Sequence, residues 1–439
     1  MGLKVLKQGA LIWLGAMSLS AGTPLSFLYT QTPRYQPAAV ERFPEGATIQ
    51  SVVDGKSRPL VPAFAASADA TVSFDGRRVL FAGKQKAADP WQIWEVALAG
   101  GQPRRIANFR EDAITPFYAT VDRVVYARRT PAGYQVETVI VGGGNIDRIT
   151  YSPGDHLVTD VLRDGRILFE APHPGTAGRD VYSVYVDGTG VETIRCDHAG
   201  DRHAGVQTAD GDIVFESGGR LARFTSARAV QIDLPATPGE FAGRIAELTP
   251  GDLLAAFRPS ATQAFALFDW HPGQGAPLRM WAASGVQAVQ PVVVRPHEIP
   301  KRFPSSVGNR EGANLLCLNA YMSRSRIAAG SVAAVRVWAL DDAGMAVAIG
   351  KAPVESDGSF FVQTPSEHAI RFELLDRAGK AVAAEKGWFW ARRGEQRICV
   401  GCHAGPERAP ENAAPAVLLR TTEPVHMALP VVTAKRGPQ

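Results

Sequence analysis

An all-β chain is what this sequence predicts, and three observations carry that reading. Gly (43) and Pro (31) are plentiful while long amphipathic helical patterns are scarce. Short alternating segments recur at a fixed period through the first two thirds of the chain. A second set of short strands, separated by turn signals and without that period, follows after residue 312. At 439 residues the chain has room for two or three domains. The net charge of +4, with no basic runs, is too weak to imply nucleic acid, and no nucleic-acid partner is expected.

The repeat is clearest at its turns. Asp75-Gly76-Arg77-Arg78 feeds Val79-Leu80-Phe81, and Asp122-Arg123 feeds Val124-Val125-Tyr126. Asp164-Gly165 leads to Phe169, Asp210-Gly211 to Phe215, and Gly251-Asp252 to Phe257. These closing aromatics step by 42 to 46 residues, the length of a four-stranded propeller blade. Partner strands are expected at Trp91 to Leu98, Gln135 to Val141 and Asp180 to Val186. Five units are explicit; Val286 to Arg295, with a strand near Ile49 to Val53, supplies a sixth. A β-propeller of about six blades, of the TolB/WD40 kind, is expected over 45–298.

Arg295 to Ser306 is Pro-rich and basic and reads as an extended linker, 299–312. Ala313 to Tyr321, Ala333 to Leu340, Phe360 to Gln363 and Ala369 to Leu375 then suggest a small β-sandwich over 313–390.

The chain's most specific chemistry follows, in a segment expected over 391–439. Cys399-Val400-Gly401-Cys402-His403 places two thiols three positions apart, with an imidazole next to the second. Each thiol can add to a vinyl group of one haem and the His can bind its iron, so the motif reads as a c-type haem site. A thioredoxin-like CxxC needs a βαβ setting, which is not visible. Half a zinc site needs a second pair of ligands nearby, and only His426 follows. Cys399 and Cys402 are expected as thioether links and His403 as proximal ligand. Met427 leads as sixth ligand and His426 is second; a His elsewhere, such as His368, or an open position are the alternatives. Trp388-Phe389-Trp390 is expected on the porphyrin or in the sandwich core. Arg392 or Arg393 suits the propionates, or simply faces solvent. Of the remaining cysteines, Cys196 and Cys317 read as small buried residues rather than a disulfide.

At the other end, Lys4 and Lys7 precede an uncharged run from Gly9 to Tyr29. Residues 1–30 read as a signal peptide or an uncleaved anchor through 8–29, which places the body in the periplasm or on the outer face of the cytoplasmic membrane. The cluster Cys196-Asp197-His198 to His203 is able to bind a metal but reads better as an inter-blade turn. His156, His173, His271 and His297 read as isolated loop or rim residues. There is no GxSxG, no HExxH and no phosphate-cradling Gly loop.

Three stretches, Ala313-Asn314-Leu315-Leu316-Cys317-Leu318-Asn319-Ala320-Tyr321, Ala352 to Val362, and Arg393 to Glu407 with its CxxCH, resemble proteins related to the hydrazine synthase alpha subunit. The propeller stretch from Cys196 to Phe215 resembles them too. The resemblance implies a propeller as the middle domain and a β-rich C-terminal domain with one c-type haem. It also implies a further haem in an N-terminal domain where chemistry occurs. This sequence has one CxxCH and no domain is expected ahead of its propeller, so only the electron-transfer haem is expected to carry over. The expectation is an exported monohaem c-type cytochrome with the propeller as docking scaffold for a redox partner protein. A haem-dependent oxidoreductase, with substrate at the propeller funnel or an open iron, is the alternative; a structural or interaction protein is the third.

Overall fold

The computed structural model describes residues 25–37, 39–41, 43, 46–195, 200–226, 228–283, 285–323, 326–402, 409 and 412–430. The expected signal or anchor up to residue 24, the Cys196 to Ala199 cluster and His403 lie outside the described residues. No described helix is long and apolar enough to cross a membrane.

Six four-stranded antiparallel sheets, among the described residues, form the propeller. Their innermost strands are Gln287–Val293, Ala66–Val72, Ala113–Thr120, Leu157–Val161, His203–Gln207 and Glu240–Thr249, and each touches the next until the circle closes. The last of these in the chain, Gln287–Val293, pairs antiparallel with the first described strand, Phe27–Thr32, so the two ends of the ring are stitched into one blade. That corrects the expected boundary at residue 30. Phe27, Leu28 and Tyr29 are buried in propeller cores because their alternation serves a strand, not an export segment. The periodic aromatics Phe81, Tyr126, Phe169, Phe215 and Phe257 all sit on second strands and are buried.

The turns into those strands share a device. Ser73 Oγ donates to Asp75 at 2.5 Å, Thr120 Oγ1 to Asp122 at 2.7 Å and Thr208 Oγ1 to Asp210 at 2.6 Å. These bonds to the charged form hold the Asp75 and Asp122 carboxyls below the usual range.

Each innermost strand also carries a bulge near the axis. Register shifts fall between Ala68 and Thr71, Ile114 and Phe117, Val158 and Asp160, His203 and Val206, and Ala242 and Ala246. Asp69, Thr115, Ala204 and Gln290 take φ between 50° and 55° there, a conformation that costs about 1–3 kcal/mol per residue. Bonds to the neighbouring blade offset it. Thr115 N donates to Asp69 Oδ2 at 3.2 Å, Ala204 N to Glu170 Oε2 at 2.9 Å and Asp69 N to Gln290 Oε1 at 3.2 Å.

The linker is extended, as its prolines predict, but it does not hang free. His297 N donates to Phe74 O and Lys301 N to Arg163 O, each at 3.0 Å. At Gly165 a Cβ would lie 2.1 Å from Lys301 O, so only glycine lets the linker pass that close. Ser305 Oγ and Ser306 N then both donate to Asp187.

Two four-stranded sheets form the sandwich. One runs Ala346–Pro353, Ala334–Leu340, Ile370–Leu375, Ala381–Ala384. The other has Ala313–Cys317 and Phe360–Thr364 at its centre, with Gln396–Cys399 on one edge and Val425–His426 on the other, both parallel to their neighbours. The expected 391–439 segment is therefore not a separate unit, since its strands complete the sandwich. Ala416–Arg420 is a short helix. Asp357 and Ser359 accept its first backbone N–H groups.

Candidate haem cavity between propeller and sandwich

The sandwich docks across two neighbouring blades of the ring through three side chains. Trp390 is buried among Val158, Phe169 and Val184 of the propeller, and its Nε1 donates to Gly188 O at 3.0 Å. Arg392 Nη1 donates to Arg148 O at 2.7 Å while its Nε sits 3.3 Å from Glu367. Glu395 accepts from Gly190 N at 3.0 Å and from Arg392 N at 2.7 Å. Trp390 and Arg392 thus clasp the two domains. For Trp390 the expected places were the porphyrin face or the sandwich core, and for Arg392 the propionates or solvent; the structure puts both in the interface, with Trp390 also bordering the cavity described next. Arg393 is largely exposed, 3.7 Å from Glu367.

Beside this clasp lies a cavity of about 1240 Å³. Its sandwich wall carries Cys399, Cys402, Cys317, Trp388, Phe360 and Phe372, and its propeller wall carries His156, His173, Tyr182 and Tyr185. Cys399 ends an edge strand whose direction is fixed by parallel pairing with Ala313–Cys317. Leu318 N donates to Cys399 O at 2.9 Å and pins the end of that strand. Between the two thiols, a Cβ on Gly401 would stand 2.2 Å from Met322 O, so the turn admits no side chain there. Burial raises the Cys399 thiol, against the pull of Arg397.

The two histidines on the propeller wall differ. His156 is wholly buried and fastened: Ser152 Oγ lies 2.9 Å from its Nε2, and Gly154 O 3.1 Å from its Nδ1. Burial pushes it down to about 4, so it is neutral. His173 sits in the Pro172-His173-Pro174 corner with Nδ1 3.4 Å from Asp180 Oδ2. Asp180 is in turn bound by Arg202 Nη1 at 3.2 Å from both carboxylate oxygens. A carboxylate behind an imidazole is the arrangement that aims a metal-ligating His. Both histidines sit on loops, as expected from sequence, but they are buried beside the cavity and not isolated at a rim. Their chain separation from the CxxC hid them, and only the docking of the domains brings them to it.

The favoured sixth ligands lie elsewhere. Val425–His426 is at the opposite edge of the sheet from Gln396–Cys399. Three strand spacings put it about 14 Å away across the sheet. His426 is exposed there, and Met427 is buried in the sandwich core, its Sδ filling the space beside Gly350. Met427 N donates to Gln363 O at 2.8 Å, so the edge pairing fixes it away from the cavity. His368 sits on a turn with Nδ1 2.7 Å from Ser366 O and does not line the cavity either. Among the described residues no cluster of three His, Cys, Asp or Glu is placed to hold a metal ion.

No curated protein matches the chain in sequence. A model of the hydrazine synthase alpha subunit middle domain matches residues 322–404. That domain therefore falls on the sandwich and its CxxCH, not on the propeller as the sequence reading had assigned it. Among solved structures, Kuenenia stuttgartiensis hydrazine synthase superposes with a TM-score of 0.79 at 18% identity, over 91% of this chain and 72% of that one. TolB from Acinetobacter baumannii superposes with a TM-score of 0.49 at 14% identity, over 62% of this chain and 67% of that one. In its whole fold, and in the sequence of its sandwich, this chain resembles the hydrazine synthase alpha-related proteins.

Proposed function

We propose that this is an exported monohaem c-type cytochrome that transfers single electrons to or from a redox partner protein, with the propeller as its docking scaffold. The observation that carries the reading is the cavity, which has both motif thiols on one wall and a carboxylate-backed imidazole on the other. Its aromatic lining suits a porphyrin face, and Arg195, Lys386 and Arg397 on its walls suit the two propionates. Cys399 and Cys402 would hold the haem by thioether bonds, His403 would take the proximal position, and His173 the distal one. When bound, the group supplies a one-electron couple. Asp180 orients His173, and Arg202 keeps that carboxylate in place. Trp390 keeps the two walls in register. The Lys4 and Lys7 pattern ahead of an uncharged run supports export to the periplasm or to the outer face of the membrane.

A second reading is favoured by the cavity's size, which exceeds the roughly 300–1,000 Å³ of common small-molecule sites. The room beside Tyr182, Tyr185 and Glu192 suits a haem-dependent oxidoreductase with substrate at an open iron. The fold likeness to a protein named as a synthase points the same way. Reduced spectra with and without carbon monoxide separate the two. The electron carrier gives a six-coordinate low-spin haem indifferent to carbon monoxide, and His173→Ala converts it to a form that binds the gas. A wild-type haem that already binds carbon monoxide overturns the carrier and leaves the oxidoreductase.

A further inference from the structure

Among the described residues three thiols, not two, line this cavity. Cys317 ends the strand Ala313–Cys317 and is the Cα register partner of Cys399 on the parallel neighbour Gln396–Cys399. Register partners on adjacent strands project to the same side of the sheet, about 5 Å apart. That spacing lies inside the range a disulfide spans. Cys317 is buried, and both it and Cys399 are free thiols here.

We propose that Cys317 is a redox partner of Cys399, and that the haem-free chain closes a Cys317–Cys399 disulfide under oxidising conditions. The reaction needs an oxidant of the disulfide class. The two cysteine S–H bonds break and one S–S bond forms. Two electrons and two protons reduce one external disulfide to two thiols. Closing the bridge removes one of the two sulfurs that the proposed haem attachment requires. On that reading, loading waits on a dithiol reductant, and the strand pairing that presents Cys399 to the cavity also guards it. The guard is compatible with the exported setting, where disulfides form and persist. Burial raises both thiols, so bridging should run faster at pH 9 than at pH 7.

The test uses full-length chain made in a host without cytochrome maturation, treated with glutathione disulfide, alkylated, and mapped by non-reducing peptide mass spectrometry. The expected result is a peptide pair linked through Cys317 and Cys399, which persists in Cys402→Ser and is absent in Cys317→Ser. A Cys399–Cys402 bridge with Cys317 alkylated, a bridge from Cys317 to Cys402 or Cys196, or alkylation of Cys317 and Cys399 alike would overturn the proposal. The measurement contains no haem. A failure of the haem reading therefore leaves its result standing, and a failure here leaves the haem reading standing. In a maturation-competent host, Cys317→Ser should load pigment without added reductant where the wild type needs it.

Discussion

The propeller's central channel and the cavity beside the sandwich both carry polar side chains, yet they are opposite in kind. The channel pocket at the bulge ring has about 10 Å³ of free space, and its Asp69, Glu170 and Gln290 side chains accept the strained backbone N–H groups of neighbouring strands. The cavity has about 1240 Å³. The channel spends its polar groups holding blades together, whereas the cavity keeps room for a ligand between walls that different domains supply. A ring can be polar at its axis and carry no ligand site there. The candidate site lies where the ring meets the sandwich.

Four substitutions break or sharpen this contrast. Trp390→Ala removes the side chain that seats one cavity wall on the other. It should cost about 3–5 kcal/mol in chemical denaturation and expose the 295–312 linker to limited proteolysis. A single unchanged transition would mean the domains do not depend on it. Met427→Ala should cost about 2–5 kcal/mol as a core truncation and leave the haem spectrum unaltered. A switch to high spin would return Met427 to the iron and refute the placement of the cavity ligands.

His156 titrates in the fold near 4 and in the unfolded chain near 6.5. Its contribution is fully present above pH 6.5 and is lost as pH falls toward 4, because the unfolded chain takes the proton first. The loss amounts to about 3 kcal/mol over that window. His156→Gln should flatten the stability profile there, which a pH series of thermal melts would show. The smallest effect belongs to the channel. Asp69→Ala leaves Thr115 N without its acceptor and should cost about 1–3 kcal/mol while pigment content stays at the wild-type level. Loss of pigment without loss of fold would join channel and cavity into one site.

The ring was legible in the sequence because each blade writes the same signals: an Asp turn, an alternating strand and a buried aromatic every 42 to 46 residues. Its closure was only half legible. Phe27–Thr32 carries the composition of an uncharged leader, and nothing local says that its partner is Gln287–Val293. The CxxC was legible as chemistry because two thiols and an imidazole at that spacing serve few purposes. Its surroundings were not. His173 and Cys317 lie far from it in the chain, and docking or strand pairing alone brings them to it. Met427 misled because proximity in sequence to the motif suggested proximity in space, which a strand running to the far edge of the sheet denies.

The proposed haem stands or falls on covalent attachment through Cys399 and Cys402. The direct measurement is to purify the chain from a host that matures cytochromes and boil it in detergent. Haem staining of the gel and the intact mass then report what stays bound. One haem per chain should be retained through boiling and lost in the Cys399→Ser, Cys402→Ser double variant. A colourless product, or pigment that washes out of the unfolded chain, would contradict it.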